Sequence, residues 1–393
     1  MDGEDPSPRK ENNKNFNNMK FTATSTDLLQ ALLSVIKVIP QKHNQLPILE
    51  NFLLELQGND LTITGSDQET TLKTILNLEN VKEGGKIAVP ALLLTNSFKE
   101  LPTQPVEFET NEEKNVIVIT WASGSANIPF LQAEDYPELP TLEDPKELKI
   151  NADTLAEGLN GTIYASAEEQ LRPVMNGIFF DITSKSTTLV ASNAHKLVCF
   201  TRTDVKGEGT SSFVLPKKPA QILKNNLSRL ADEPVTITFD KRNAFFRFEN
   251  QLVVCRLIDG TYPAYKTVIP KNNTNVITVS RADILNATRR VAVCSNQATG
   301  QIVFNIQNNT INITAQDVDF SMSAAENVNC QYEGVPMVIA FKSQFLIEIL
   351  SNLPYDQICI KLADPAKAAL IQPAEAPKEE EEICALLMPM RLS

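Results

Sequence analysis

The stretch Thr188-Leu189-Val190-Ala191-Ser192-Asn193-Ala194-His195-Lys196-Leu197 decides how this chain reads, because it has two weaker echoes. They are Leu61-Thr62-Ile63-Thr64-Gly65-Ser66-Asp67 and Ile311-Asn312-Ile313-Thr314-Ala315-Gln316-Asp317. Each shows alternating apolar residues, then small residues, then an acid or amide where the chain turns, which is the pattern of a strand entering a turn. Asp67 and Asn193 are 126 positions apart, and Asn193 and Asp317 are 124 apart. A period that long predicts three copies of a whole domain rather than a solenoid of short repeats.

The flanks repeat in the same order. Phe21, Ile150 and Ile277 each open a strand, and Thr24, Asp153 and Ser280 stand where a helix is to be capped. Asp283 gives Ser280 a capping-box-like partner. Ala88-Val89-Pro90 and Val214-Leu215-Pro216 lie 126 positions apart, as do Tyr136 and Tyr262 in two Tyr-Pro segments. Two helices per domain are expected, in the windows 25–42, 91–101, 152–164, 217–230, 281–294 and 342–353. The fold class is therefore α+β, with three similar domains, each carrying two helices packed on antiparallel sheets. The expected boundaries are a disordered leader at 1–18 and domains at 19–145, 146–273 and 274–393. Ala363–Glu382 is Pro- and Ala-rich, ends in four glutamates and reads as a solvated loop. Ile383–Met388 reads as a strand buried on both faces. Gly207-Glu208-Gly209 lacks the third glycine of a nucleotide loop and reads as a turn, and Gly124-Ser125 reads as a hairpin.

Composition narrows the function. With 393 residues, 42% of them hydrophobic, the chain has the make-up of an ordinary globular protein, and no apolar run reaches the ~20 residues that span a bilayer. Six cysteines without a C-x-x-C pair argue against zinc and against a disulfide framework, and fit a cytoplasmic location. His43 and His195 are the two histidines, which excludes a multi-histidine metal centre. A Ser192–His195 hydrolytic pair finds no nucleophile elbow and no acid nearby in sequence. No catalytic residue, metal site or cofactor is expected. The net charge of −12 opposes nucleic acid as a partner unless it is unevenly spread. It is: the six helical windows total +5 and the rest of the chain −17. Helices that alone face phosphate are expected to look this way.

Several short motifs then point to a family. Met19-Lys20-Phe21, Leu46-Pro47-Ile48-Leu49, Ala194-His195-Lys196-Leu197, Asp259-Gly260-Thr261-Tyr262-Pro263 and the terminal Met388-Pro389-Met390-Arg391-Leu392 occur in this order. Together they resemble the bacterial DNA polymerase III β subunits, the sliding clamps, from Met19 to Leu392. The resemblance implies three DNA-clamp domains per chain and a homodimer closed head to tail into a ring around duplex DNA. Twelve helices at roughly 10 Å spacing give a bore of about 28 Å once side chains are subtracted, enough for a duplex bound without regard to sequence. Double-stranded DNA, the polymerase III α subunit, the clamp loader and other proteins carrying a clamp-binding motif are the implied partners, and no membrane is. The implied partner-peptide cleft comprises Met175, Ser192, Ala194, His195, Lys196, Leu197, Pro263, Thr267 and Val268. Tyr332, Ser343, Leu386, Leu387, Met388, Pro389, Met390, Arg391 and Leu392 complete it. Lys42, His43, Arg172, Lys217, Lys218, Lys224, Arg229, Arg289 and Arg290 are the DNA candidates, His43 and Arg172 matching basic positions of the family. The chain departs from the family at Ala194 and Lys196, where Gly and Arg are frequent, and at Thr267, which replaces a common arginine.

Overall fold

The computed structural model describes residues 19–40, 46–168, 171–375 and 379–392, so the 1–18 leader, Lys42 and His43 lie outside the described residues. Among the described residues there are six α-helices: α1 (Ser25–Val35), α2 (Ala91–Lys99), α3 (Ala152–Ile163), α4 (Lys217–Leu227), α5 (Arg281–Ala292) and α6 (Ser343–Asn352). They pack in pairs, α1 on α2, α3 on α4 and α5 on α6. Helices of this length are marginal alone in water and hold because one face is buried. In α4, Pro219, Ala220, Ile222, Leu223 and Leu227 form that face, and each large aliphatic side chain contributes about 1.5–3 kcal/mol. Pro90 and Pro216 occupy the N-caps of α2 and α4, just outside the first turn, where a missing N–H costs the helix no hydrogen bond.

The caps correct part of the sequence reading. Ser280 caps α5, its Oγ accepting from Asp283 N at 3.3 Å. Thr24 sits at the N-cap of α1 but makes no side-chain cap bond. The neighbouring Ser25 ties the helix down instead, donating to Pro102 O at 2.7 Å and accepting from Gln104 N at 3.1 Å. Asn151, not Asp153, is the N-cap of α3; Asp153 falls in the first turn. α1 stops at Val35, short of the end of the expected 25–42 window, because Val38 N and Ile39 N turn to carbonyls three residues back, at 3.1 Å each.

The chain divides into two compact units, Met1–Pro140 with Asn250–Val254, and Thr141–Glu249 with Cys255–Ser393. The first holds a five-stranded sheet in the order Asn80–Glu83, Lys20–Thr24, Pro105–Asn111, Val116–Trp121, Gly124–Pro129. A second antiparallel set runs Leu131–Gln132, Gly85–Pro90, Asn51–Gln57, Asp60–Ser66, Thr70–Asn77. Phe21, Phe98 and Phe108 stack in its core, at centroid separations of 4.7 and 5.7 Å.

In the second unit a nine-stranded sheet crosses from the second repeat into the third. Its order is Ser211–Pro216, Gly177–Ile182, Thr187–Ser192, Lys196–Arg202, Glu381–Leu387, Ala369–Pro373, Gln357–Leu362, Asn275–Ser280, Gln331–Tyr332. The seam is Lys196–Arg202 against Glu381–Leu387, seven residue pairs in antiparallel register. Glu381–Leu387 is thus flanked on both edges and largely buried, as its unbroken apolar run predicts. The reading of 363–382 as solvated loop is overturned. Ala369–Pro373 is a sheet strand, and Glu381 is buried, accepting from Arg202 Nη1 at 3.1 Å and Tyr355 Oη at 2.6 Å. A four-stranded sheet (Met322–Asn329, Thr310–Asp317, Gln301–Gln307, Met337–Lys342) completes the third repeat.

Candidate functional site

The three turns singled out by the sequence use one device. Asn193 Oδ1 accepts from His195 N at 3.0 Å and Lys196 N at 2.9 Å. Asp67 Oδ1 accepts from Glu69 N and Thr70 N at 3.1 and 2.7 Å, and Asp317 Oδ1 from Asp319 N and Phe320 N at 3.0 and 3.4 Å. A short acceptor side chain closing the turn on backbone N–H groups is why an acid or amide recurs there. Ala194 takes φ +71 within its turn, a left-handed conformation uncommon for a residue with a Cβ, and Gln68 takes φ +78 at the same place in the first repeat's turn. Ser192 Oγ donates to Lys196 O at 2.9 Å and accepts from Ala194 N, so it is committed to the turn rather than to His195.

Beside this turn lies a cavity of about 440 Å³. Leu197 and Leu386, directly opposed across the seam, line it together with Met175, Ser192, Ala194, Pro263, Thr267, Val268 and Met388. Nine residues of the implied cleft therefore do converge. Arg172, Tyr262, Ala264 and Tyr265 also line it, outside the expected cleft set. Tyr262 stacks on Phe179 at 4.6 Å and stiffens one wall. Tyr265 Oη donates to Asp181 Oδ2 at 2.7 Å, and burial first, that carboxylate second, raise its pKa and keep the phenol neutral. Val268 and Met388 stand 56% and 42% exposed at the mouth, offering apolar surface that a ligand can cover. The lining suits a short peptide with bulky apolar side chains, and the exposed Arg172 suits an acidic group beside them.

Other cleft candidates lie outside the cavity lining. His195 stacks on Phe345 of α6 at 5.6 Å. Lys196, only 3% exposed, bonds Glu348 of α6 through Nζ, with the Tyr164 and Phe345 rings 5.4 and 5.2 Å away. Leu387 is wholly buried, Ser343 opens α6 with its N–H donating to Gly300 O, and Tyr332 Oη donates to Val335 O. The tail leaves the groove through Pro389. Met388 N donates to His195 O and Met390 N to Ala340 O, both at 2.8 Å, and Arg391 O accepts from Gln301 Nε2 at 2.7 Å. Leu392 is half exposed.

The basic candidates are unequal. Lys217 pairs with Glu168 at 2.6 Å, and Arg290 grips both oxygens of Glu326, which raises its own pKa and lowers that of Glu326. Arg289 donates to Ser351 Oγ at 3.0 Å. Lys218 is exposed on α4. Lys224 and Arg229 line a hollow of about 540 Å³ with Asp153 and Glu157, between α3 and the end of α4. Among the described residues no group of three or more His, Cys, Asp or Glu stands where it could hold a metal, and no helix is long and apolar enough to cross a membrane.

Fold and groove together define a binding protein made by threefold repetition of one α+β unit. Comparison with known proteins gives that class its family. The N-terminal, central and C-terminal domain models of the DNA polymerase III beta subunit match residues 19–140, 149–264 and 266–391. The chain is 26% identical over 374 residues to the beta sliding clamp of Haemophilus influenzae and 28% over 381 residues to that of Pseudomonas putida. Both alignments cover 95% of this chain and 100% of the relative. A crystal structure of the Pseudomonas aeruginosa sliding clamp bound to griselimycin superposes with a TM-score of 0.90 at 25% identity, covering 96% of this chain and 100% of that one. The Thermotoga maritima DNA polymerase III beta subunit gives 0.87 at 25% identity, covering 95% and 100%. The chain belongs to the DNA polymerase III beta subunit family.

Proposed function

We propose that this family member works by enclosure: two chains close head to tail around duplex DNA, and the groove beside Ala194 carries the polymerase. As a member of the family the chain is a DNA sliding clamp, a non-catalytic processivity factor for DNA polymerase III. The remaining particulars are our reading. The domains run 19–145, 146–273 and 274–393, and the basic side chains of the helices contact phosphate without reading bases, so contact is weak and mobile. The groove accepts short apolar peptides from the polymerase α subunit, the clamp loader and other proteins that share the site, in the cytoplasm. Leu197, Leu386, Val268 and Met388 supply its apolar contacts, and methionine repacks readily around different peptides. Met390 and Leu392 extend the site along the tail.

The observation that carries this reading is the groove itself: an apolar cavity at the seam of the second and third repeats, in a chain whose three repeats each match a domain model of the family. Light scattering should give twice the chain mass of 43.5 kDa. The protein loaded on circular DNA should stay until the circle is cut. Retention that survives linearisation, or a monomer at micromolar concentration, would overturn enclosure.

A further inference from the structure

Cys199 and Cys384 are 185 positions apart in sequence, yet they face each other across the seam as direct register partners. Both are buried free thiols, and both line a second cavity, of about 410 Å³, next to the peptide groove, with Tyr265 shared by the two linings. Met388 N donates to His195 O and Thr203 N to Glu380 O. These bonds fix the phase of the ladder, so that 199 and 384 form one of its hydrogen-bonded pairs. Such pairs have Cα atoms ~5.5 Å apart, inside the ~4.4–6.8 Å span of disulfides. The Cβ atoms must still draw together, so a bridge here carries strain and is easily reduced. Lys271 and Lys361 line the same cavity together with Lys266, whose ammonium pairs with Asp181 at 2.8 Å, and Glu382 is the acid in the lining.

We propose that Cys199 and Cys384 form a reversible dithiol–disulfide site that staples the second repeat to the third, oxidised by small anionic disulfides drawn to the lysine-lined cavity. One thiolate attacks a sulfur of the reagent disulfide, forming a mixed disulfide and releasing one reagent thiolate, which takes up a proton. The second cysteine then attacks the protein sulfur of that mixed disulfide, forming the Cys199–Cys384 bond and releasing the second reagent thiol. Two protein S–H bonds are lost, one S–S bond forms, and the reagent carries away both electrons and both protons. Burial pushes both thiols up, Cys384 to about 11, so the exchange is slow at neutral pH and quickens as pH rises.

The test uses the full chain with oxidised glutathione, followed by alkylation and non-reducing peptide mass spectrometry. The free-thiol count should fall from six to four, with a Cys199–Cys384 peptide that dithiothreitol removes. The C199A variant, checked for fold by circular dichroism, should instead hold glutathione on Cys384. Bis(2-hydroxyethyl) disulfide, which is neutral, should react more slowly than glutathione, and K271Q/K361Q should erase that difference. Glutathione appearing on Cys294, Cys330 or Cys359 while Cys199 and Cys384 stay free would overturn the proposal. So would a Cys199–Cys384 bridge that forms only after unfolding in urea.

Discussion

Replacing Glu348 by alanine should destabilise the second unit far more than replacing its partner Lys196 by methionine. The asymmetry comes from burial. The Lys196 side chain is 4% exposed and the Glu348 side chain 32% exposed, so water can solvate the carboxylate left by K196M but not the ammonium left by E348A. An uncompensated buried charge costs about 3–5 kcal/mol. The Tyr164 and Phe345 rings face the ammonium at 5.4 and 5.2 Å, and each returns roughly 0.5–1 kcal/mol. E348A is therefore expected to cost about 3 kcal/mol and K196M about 1 kcal/mol. The double variant K196M/E348L should regain most of the loss, because an apolar pair of similar volume needs no solvation. Hydrogen exchange at the amides of 196–202 and 381–387 reads the opening free energy of the seam directly. Equal costs for the two single variants, or a double variant no better than E348A, would show that burial of the ammonium does not set the asymmetry.

Three further outcomes are expected. Truncating Val268 and Met388 together to alanine should weaken a fluorescent polymerase-tail peptide by about tenfold, from lost apolar contact, with the dimer mass unchanged in light scattering. On DNA, K224Q and R229Q should each lower the slope of log affinity against log salt by about 0.9, whereas R290Q should change it much less because Glu326 already holds that guanidinium. The third concerns alkali. Cys384 has its folded pKa raised from 9.0 to about 11, so its stabilising contribution is complete below pH 9 and is lost as pH climbs toward 11. The loss is roughly 2–3 kcal/mol, and C384A should make that limb of a pH–stability curve shallower, the buried Cys199 and Cys255 keeping the rest.

The parts of the fold legible in the sequence were those set by neighbours along the chain. Asp67, Asn193 and Asp317 each close a turn on N–H groups two and three residues ahead, so the motif and its geometry repeat together. Five of the helix windows came within three residues of the observed helices for the same reason, and the first overran its helix, which ends at Val35. Ser25 reaches a carbonyl 77 positions away, which no local rule anticipates. Glu381 looked like one of four solvated glutamates, but Arg202, 179 positions earlier, takes it into the interior. The groove was legible only through family resemblance, and its aromatic wall was missed. Tyr262 and Tyr265 belong to a segment whose turn-like composition says nothing about which cavity the rings face.

The sheet that runs unbroken from Ser211–Pro216 to Gln331–Tyr332 has a mechanical consequence. A hinge needs a place where backbone can swing without tearing a hydrogen-bond ladder, and the seven pairs between Lys196–Arg202 and Glu381–Leu387 offer none. Any force that opens the clamp must find its compliance elsewhere. A ligand seated in the groove beside that seam rests on stiff ground, so a pull on it is passed on to weaker joints.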